Sequence, residues 1–262
     1  MPVSADRLLA PDDPPPVRVL RADGRSDFVL TADHAGRAIP KRIGMLGLPE
    51  SELARHIAWD IGIAGVTERL SESLDAAALL QNYSRLVIDC NRQPGLDSSI
   101  PMISELTPIP GNEGLSPAER EARRREIFLP YHERITALLD ARHASGRRTL
   151  LIAMHSFTPV FKGVSRIVEI GVLYNRDARL PHIMLDLLRR EGDLSVGDNQ
   201  PYAVGDLSDY TVPVHGETRG LPHVEIEIRQ DLIADAAGQA RWAARLARLL
   251  PQADALLRKG DQ

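Results

Sequence analysis

The apolar positions of this chain fall into short β-prone runs that alternate with longer stretches of helical spacing. Six short runs predict strands: Phe28–Thr31, Ala77–Gln81, Arg85–Cys90, Thr149–Met154, Ile167–Leu173 and Val224–Ile228. Helical spacing predicts four helices: Ser51–Leu74, Ser116–Ala144, Leu180–Arg190 and Ala234–Leu257. Because strands alternate with helices, we expect an α/β fold, a three-layer α/β/α sandwich around a mixed, mostly parallel central sheet.

Two segments between the strands carry strong local signals. Ser116, Pro117 and Glu119 form a capping-box pattern that opens a helix. The basic run Arg123–Arg125 in that helix is predicted to be its solvated face. The stretch from Gln93 to Gly114 contains four prolines and several glycines, so it is predicted to be a long functional loop.

Length and composition are those of one globular domain. The chain has 262 residues, of which 43% are hydrophobic and 26% charged, enough for a sizeable core. We expect residues 1–22 to form a flexible, Pro-rich arm and residues 23–262 a single domain.

A net charge of -4 argues against nucleic acid as a partner. The lone Cys90 cannot form an intramolecular disulfide. No apolar run reaches the ~18 residues of a membrane span. We therefore expect a cytoplasmic protein with no membrane partner.

Polar side chains follow three of the predicted strands, the place where ligands bind in open α/β sheets. His34 follows the first strand, Asn91 and Arg92 follow the third, and His155 follows the fourth. Two histidines from neighbouring strands and one carboxylate leave the open fourth position that a hydrolytic zinc ion needs. A histidine is more often a surface or hydrogen-bonded core residue, but the strand-end position of both favours a metal site.

The third ligand of such a site would be a carboxylate, and two candidates stay open. Asp60 lies in an apolar helical context, where an unpaired carboxylate would be costly to bury. The alternative for Asp60 is a solvent-facing position on the helix. Asp33, directly before His34, competes with it.

Glu225 and Glu227 alternate with apolar residues in the last predicted strand, so both side chains point to the same face. A glutamate near an activated water can take its proton as a general base and return it to a leaving amine. Either glutamate fits this pattern. A solvated edge strand is the alternative.

The same segments resemble the N-formylglutamate amidohydrolase family, which is distantly related in fold to the zinc carboxypeptidases. The resemblance extends from about Val29 to Ile233 and implies their phosphorylase/hydrolase-like α/β fold. Its markers are DHAGRAIP (Asp33–Pro40), WDIG (Trp59–Gly62), NYSRLVIDCNRQP (Asn82–Pro94), MHSFTP (Met154–Pro159), DNQPY (Asp198–Tyr202) and EIRQDLI (Glu227–Ile233). Each piece alone is common, but their combination and order are specific.

The resemblance implies one zinc ion, with His34 and His155 as ligands and Glu227 as the catalytic glutamate. Carboxypeptidase-type sites pair the first histidine with a glutamate three residues later, and that position is Arg37 here. Asp60 is therefore the expected third ligand, because the family has a similar WD-type helix.

The resemblance also implies a set of substrate-binding residues. Arg92 after Asn91 is similar to the asparagine-arginine pair that holds a substrate carboxylate, a task that suits a guanidinium. Arg85 is a second candidate clamp, with a structural arginine paired to an internal acid as the alternative. The segment YTVPVHG is similar to a family loop, which implies that Tyr210 and His215 lie near the substrate.

The expected reaction is zinc-dependent hydrolysis of N-formyl-L-glutamate, a small-molecule substrate, to formate and L-glutamate. Hydrolysis of another N-acyl amino acid, a short peptide or a cell-wall fragment is an alternative, because an arginine reads only a carboxylate. A rival from another class is a non-catalytic binding protein that uses the loop Gln93–Gly114 as its recognition surface.

Overall fold

The central sheet has seven strands in the computed structural model, which describes residues 7–260. In chain order the strands are β1 (Val17–Leu20), β2 (Phe28–Ala32), β3 (Ala77–Gln81), β4 (Ile103–Ser104), β5 (Thr107–Pro108), β6 (Leu150–Phe157), β7 (Val160–Phe161), β8 (Val164–Ser165), β9 (Ile170–Leu173), β10 (Val196–Asp198) and β11 (His223–Arg229). The sheet order is β1-β3-β2-β6-β11-β9-β10, and β4–β5 and β7–β8 are separate hairpins. Four of the six neighbouring pairs are parallel, which confirms a mixed, mostly parallel sheet.

Helices cover both faces of this sheet. They are α1 (Glu50–Leu53), α2 (Ile63–Leu74), α3 (Pro117–Arg123), α4 (Leu129–Ala144), α5 (Arg179–Glu191) and α6 (Ala236–Gly260). Short 3₁₀ turns occupy Lys41–Ile43, Asp97–Ser99, Pro110–Asn112 and Gln230–Leu232, and π-helical turns occupy Arg124–Phe128 and Val212–Glu217. One hydrophobic cluster joins α2, α5 and α6 to one face, and a second joins α4 to the other. The predicted three-layer α/β/α arrangement is therefore confirmed.

The two central strands divide their side chains between these two layers. Six alternate residues enter the cluster under α2, α5 and α6: Leu150, Ile152, Met154, Val224, Ile226 and Ile228. By the two-residue period of a strand, His155, Glu225 and Glu227 therefore face the opposite, α4 side. The register of the parallel β6–β11 pair sets Glu227 beside His155.

The predicted helix Ser51–Leu74 is wrong in its first half. Helix α1 ends at Leu53 and α2 begins at Ile63, so Asp60 lies in the connecting segment instead of on a helix. The backbone N–H of Asp60 donates to the carbonyl of His34 at 2.9 Å, a long-range contact that helical spacing does not reveal. Gly62 permits the turn into α2, since its φ is 83°.

The predicted strand Arg85–Cys90 is also wrong, because this buried segment forms turns outside the sheet. Its backbone groups find partners elsewhere: the Asp89 N–H donates to the Ser99 carbonyl at 2.8 Å. Arg123 donates to the Val87 carbonyl at 2.9 Å. Arg123 is itself fully buried, so the prediction of a solvated face is wrong for this member of the basic run.

Other boundaries differ less. The capping box is confirmed, since Ser116 accepts from the Glu119 N–H and its own N–H donates to the Glu119 carboxylate at 2.8 Å. Strand β6 continues to Phe157 because it pairs with β11 to that point, so His155 lies within the strand and not after it. Strand β9 begins at Ile170, whereas the predicted strand begins at Ile167.

Part of the predicted N-terminal arm is ordered. Strand β1 pairs antiparallel with β3 and forms one edge of the sheet, a role that its proline-rich surroundings conceal. The rest of that prediction, residues 1–6, lies outside the described residues, as do residues 261–262. No helix in residues 7–260 has both the length and the apolar character needed to cross a bilayer.

Candidate active site

A cavity of about 470 Å³ opens at the carboxyl ends of β6 and β11. Eight of the residues singled out in the sequence line it: His34, Asp60, Arg85, Asn91, Arg92, His155, Glu225 and Glu227. Asp33, Tyr210 and His215 are absent from its wall. Residues from five distant segments therefore meet in one place.

Three buried side chains at the base of this cavity form a group of metal-donor atoms. His34, Asp60 and His155 each offer one donor atom, and these atoms lie within 4.8 Å of one another. Asp60 Oδ2 is 3.5 Å from His34 Nδ1 and 3.1 Å from His155 Nδ1. Within residues 7–260, His34 Nδ1 is buried without a hydrogen-bond partner. A buried imidazole nitrogen left unpaired beside a second imidazole and a carboxylate fits the donor set of a zinc site.

Each histidine has a second carboxylate behind its other ring nitrogen. His34 Nε2 donates to Asp89 Oδ1 at 2.7 Å. His155 Nε2 lies 3.2 Å from Asp33 Oδ2. Carboxylates in this position fix the tautomer and orientation of a metal-binding histidine. Asp33 therefore lies on the far side of His155 from Asp60, which is the position of a supporting acid.

Asp33 is held in that position by its own hydrogen bonds. Its Oδ1 accepts from the Tyr131 hydroxyl at 2.7 Å and from the Thr211 hydroxyl at 2.8 Å. Both donors are fully buried. Because these bonds occupy Oδ1, only Oδ2 is directed to the histidine.

The three buried aspartates stay ionised despite their burial. Burial opposes ionisation of Asp33, but hydrogen bonding and charge from His155 bring its pKa down to about 2. Burial also opposes ionisation of Asp60, but the charge of His34 and a hydrogen bond from His155 have the larger effect and lower its pKa. The charges of Arg85 and His34 hold the pKa of Asp89 well below its usual range. Three ionised carboxylates therefore surround the two histidines.

The two candidate arginine clamps differ in how much of each guanidinium is engaged. Arg85 donates through Nε and Nη2 to Asp89 at 2.9 and 2.7 Å, and its Nη1 lies 3.6 Å from Asp60 Oδ1. Arg92 uses only Nη1, which donates to the Asn91 carbonyl at 2.8 Å and lies 3.5 Å from Asp209. In the described residues, Nε and Nη2 of Arg92 have no protein partner. Of the two arginines, Arg92 is therefore the one with N–H groups available to bind a ligand.

Both the nitrogen and the oxygen of the Asn91 amide form hydrogen bonds within the protein. Its Nδ2 donates to Asp209 at 3.1 Å. Its Oδ1 accepts from the backbone N–H groups of Tyr210 and Thr211 at 2.9 and 3.0 Å. Asn91 therefore joins two loops beside Arg92.

Glu225 and Glu227 are buried carboxyls on the cavity wall. Burial raises the pKa of Glu225 to about 8, although the charge of His155 opposes the rise. Burial also raises the pKa of Glu227 to about 8, against the charge of His155 and with a contribution from Asp60. Within the described chain, Oε2 of each lacks a hydrogen-bond partner. Buried carboxyls with raised pKa values are typical of proton-transfer groups.

Tyr210 and His215 lie behind the cavity, in a buried aromatic cluster. His215 Nε2 is 3.0 Å from His132 Nδ1, and His132 Nε2 donates to the Cys90 carbonyl at 2.8 Å. The Tyr210 ring packs edge-on to Phe128 with a centroid separation of 4.9 Å. Burial lowers the pKa of His132 to about 4 and that of His215 to about 3, so both rings are neutral at pH 7.

Sequence reasoning missed several residues of the site. Asp89 follows Val87 and Ile88 in an apolar run, and the cost of burying an unpaired carboxylate, the argument used for Asp60, applies equally to it. Asp209 had no comparable signal. The aromatic part of the cavity wall is formed by Phe157, Phe161 and Tyr202. Phe157 and Tyr202 lie within the markers MHSFTP and DNQPY but were not singled out, and Phe161 had no signal.

Known proteins resemble this chain over most of its length. Residues 26–234 match the sequence profile of the N-formylglutamate amidohydrolase family. The solved structure of gene product Atu2144 from Agrobacterium tumefaciens is similar with a TM-score of 0.92 and 40% identity, over 96% of this chain and 100% of that chain. N-formylglutamate amidohydrolase from Ralstonia eutropha JMP134 has the same fold, with a TM-score of 0.67 and 19% identity, over 94% of this chain and 99% of that chain.

The search of curated proteins gives no match. The family profile covers most of the chain, and the family's description indicates hydrolysis of amide bonds. The chain belongs to the N-formylglutamate amidohydrolase family.

Proposed function

We propose that the protein is a zinc-dependent amidohydrolase that cleaves the amide bond of an N-acyl amino acid in the cytoplasm. N-formyl-L-glutamate, giving formate and L-glutamate, is the leading substrate because of the family. The observation that carries the proposal is the buried group His34, Asp60 and His155, which lies in the cavity beside Glu227 and in which His34 Nδ1 has no hydrogen-bond partner among the described residues.

His34, Asp60 and His155 would hold one zinc ion. Two imidazoles and one carboxylate are a common protein ligand set of catalytic zinc, which keeps a position open. A zinc ion held there would supply Lewis-acid chemistry that polarises the scissile carbonyl and acidifies a water molecule. Asp89 and Asp33 would keep both imidazoles oriented with their opposite nitrogens.

Glu227 is the proposed general base and then general acid. It is the cross-strand neighbour of His155, whereas Glu225 pairs with Ala153, and the charge of Asp60 acts on Glu227. Glu227 takes a proton from the attacking water, whose oxygen bonds to the carbonyl carbon. When the C–N bond breaks, Glu227 returns that proton to the leaving nitrogen, which departs as the amine of the amino acid.

Arg92 is the proposed binding group for the carboxylate of the substrate. Its Nε and Nη2 have no partner in the described residues, and two parallel N–H groups suit a carboxylate. Arg85 is already paired with Asp89, so we assign it a supporting role at the metal donors. Asn91 holds the backbone next to Arg92. Tyr210 and His215 support this wall from behind.

The direct test is formate release from N-formyl-L-glutamate by the zinc-loaded full chain. We expect turnover that is lost on chelation, recovered with zinc, and abolished in His155→Ala and Glu227→Ala. A purified protein that binds no zinc, together with unchanged activity in both variants, would show that the mechanism is wrong.

A further inference from the structure

The cavity has an aromatic wall next to the metal donors. Phe157, Phe161 and Tyr202 all line it. Phe157 lies two residues beyond His155 on β6, and both side chains are on the same face of the strand. Two residues of a strand span about 6.6 Å, so the wall begins one side chain beyond the donor group.

Arg166 holds the three rings together. Its Cζ lies 5.6 Å from the ring centroid of Phe157, 4.8 Å from that of Phe161 and 4.6 Å from that of Tyr202. Within residues 7–260, Arg166 forms no ion pair with a carboxylate, and its Nη1 is buried without a hydrogen-bond partner. A guanidinium stacked on several aromatic faces is favourable and keeps the rings in one arrangement. The wall therefore joins β6, the β7–β8 hairpin and the segment around Tyr202.

The proposed carboxylate site lies on the other side of the donor group along β6. Val212 belongs to the same small buried cluster as Ala153, which precedes His155 by two residues on the same face. Thr211, next to Val212, donates its N–H to Asn91, the neighbour of Arg92. Along the strand the order is thus the Arg92 side, the metal donors and the aromatic wall.

This order determines where the parts of a substrate would lie. If the carboxylate of an N-acyl amino acid binds Arg92 and its carbonyl reaches the donor group, the acyl group extends to the aromatic wall. A formyl group has only a hydrogen atom to place there. A cavity of about 470 Å³ is in the range of sites for much larger ligands.

The segments that supply the outer wall also expose apolar side chains. Five large ones lie on the segments around Ile103, Phe161 and Tyr202: Ile103, Leu106, Val164, Ile167 and Leu207. Exposed apolar side chains on segments that line a cavity are typical of a binding site for an apolar group.

We propose that Phe157, Phe161 and Tyr202, held by Arg166, form a subsite for a planar apolar acyl group, and that N-aroyl amino acids are better substrates than N-formyl ones. This inference rests on the proposed amidohydrolase function and narrows its substrate class. The stacking of a ring on these three side chains would be lost when the acyl group is formyl.

The test compares kcat/KM of the zinc-loaded full chain for N-formyl-, N-acetyl-, N-succinyl- and N-benzoyl-L-glutamate. We expect the benzoyl compound to exceed the formyl compound by about tenfold or more, as for burial of a large apolar group. Phe161→Ala should lower the benzoyl-to-formyl ratio about tenfold, and Phe161→Leu, a milder change to the fold, should lower it less. Leu256→Ala, at an exposed apolar residue of α6, should keep the ratio of the wild type.

The outcomes separate this inference from the proposed function. If kcat/KM for the formyl compound equals or exceeds that for the benzoyl compound, the aromatic subsite is overturned, but the proposed amidohydrolase function is not. A preference for the succinyl compound would make Arg166 an anion-binding residue and also overturns it. If no compound is hydrolysed, the proposed function is wrong, and ligand binding measured by calorimetry then tests the aromatic subsite. Tighter binding of N-benzoyl- than N-formyl-L-glutamate, weakened in Phe161→Ala, then supports it, and equal binding overturns it.

Discussion

Glu227 and His155 are cross-strand partners in the middle of the sheet. Both side chains leave the same face of two parallel strands, so the distance between the proposed base and a metal donor is set by strand pairing and not by a loop. On the other side of Glu227, Gly171 of β9 lets the Gln200 carbonyl approach, because a Cβ at Gly171 would lie only 2.2 Å from that oxygen. A proton-transfer group is best held by such a rigid support.

The third metal ligand can be identified by comparing Asp60→Asn with Asp33→Asn. Asp60→Asn removes a donor carboxylate, so we expect the purified variant to lose its bound zinc. Asp33→Asn removes only the acid behind His155, so zinc should still bind, with affinity roughly 10- to 100-fold weaker. Metal analysis and competition with a chelator measure both. Zinc retained in Asp60→Asn and lost in Asp33→Asn would reverse the assignment.

Glu227→Gln should lower kcat by roughly 10²- to 10⁴-fold, because it removes the general base while keeping the shape of the side chain. Zinc content should be unchanged, since the amide is not among the donors. Glu225→Gln is the matched control on the same face of β11, and its effect on kcat should be much smaller. Steady-state kinetics decide the matter, and a larger loss in Glu225→Gln would exchange the roles of the two residues.

Arg92→Ala should raise KM more than it lowers kcat, because the lost contact is to a carboxylate that does not react. The loss of a charged hydrogen bond gives an increase of roughly 10- to 100-fold. Arg190, an exposed arginine of α5, provides the control Arg190→Ala, for which KM should not change. An unchanged KM in Arg92→Ala would place the carboxylate elsewhere.

The buried pair His132 and His215 should make the fold sensitive to acid. Burial lowers their pKa values to about 4 and about 3, whereas an unfolded histidine has a pKa of about 6.5. Between pH 6.5 and 4 the unfolded chain binds more protons at these groups, so their contribution to the free energy of unfolding falls as the pH falls.

Glu225 and Glu227 act in the opposite direction in the metal-free protein. Burial raises both pKa values to about 8, so the folded chain keeps protons that the unfolded chain has released above pH 4.5, and stability falls as the pH rises. The histidine contribution is therefore measured as a difference between proteins. In urea unfolding, His215→Gln should lose less stability than the wild type between pH 7 and 5. Parallel pH profiles would contradict this.

Local patterns in the sequence were sufficient for most of the fold and part of the site. The alternation around Glu227 correctly placed it on one face with Glu225, because a strand has a fixed period. The capping box at Ser116 is likewise a short-range signal. His34 and His155 could be selected because each ends or nearly ends an apolar run.

The remaining features depend on contacts between distant residues. The segment Arg85–Cys90 has the composition of a buried strand, but periodicity does not distinguish a strand from a buried turn whose carbonyls bind Arg123. Asp60 lies in a run with helical spacing. That spacing does not reveal the hydrogen bond from its N–H to His34, which belongs to another segment. Asp89 was not singled out because its partners, His34 and Arg85, are known only from the fold.

The two outer strands of the sheet are short, with four residues in β1 and three in β10. The chain enters β1 directly from three prolines, which have no N–H to offer. A neighbouring copy of the protein therefore finds few backbone groups at either edge on which to add a strand and begin an aggregate. Several exposed apolar side chains instead lie on segments that supply the cavity wall, so the segments most prone to unwanted association are the same ones that would have to stay accessible to substrate.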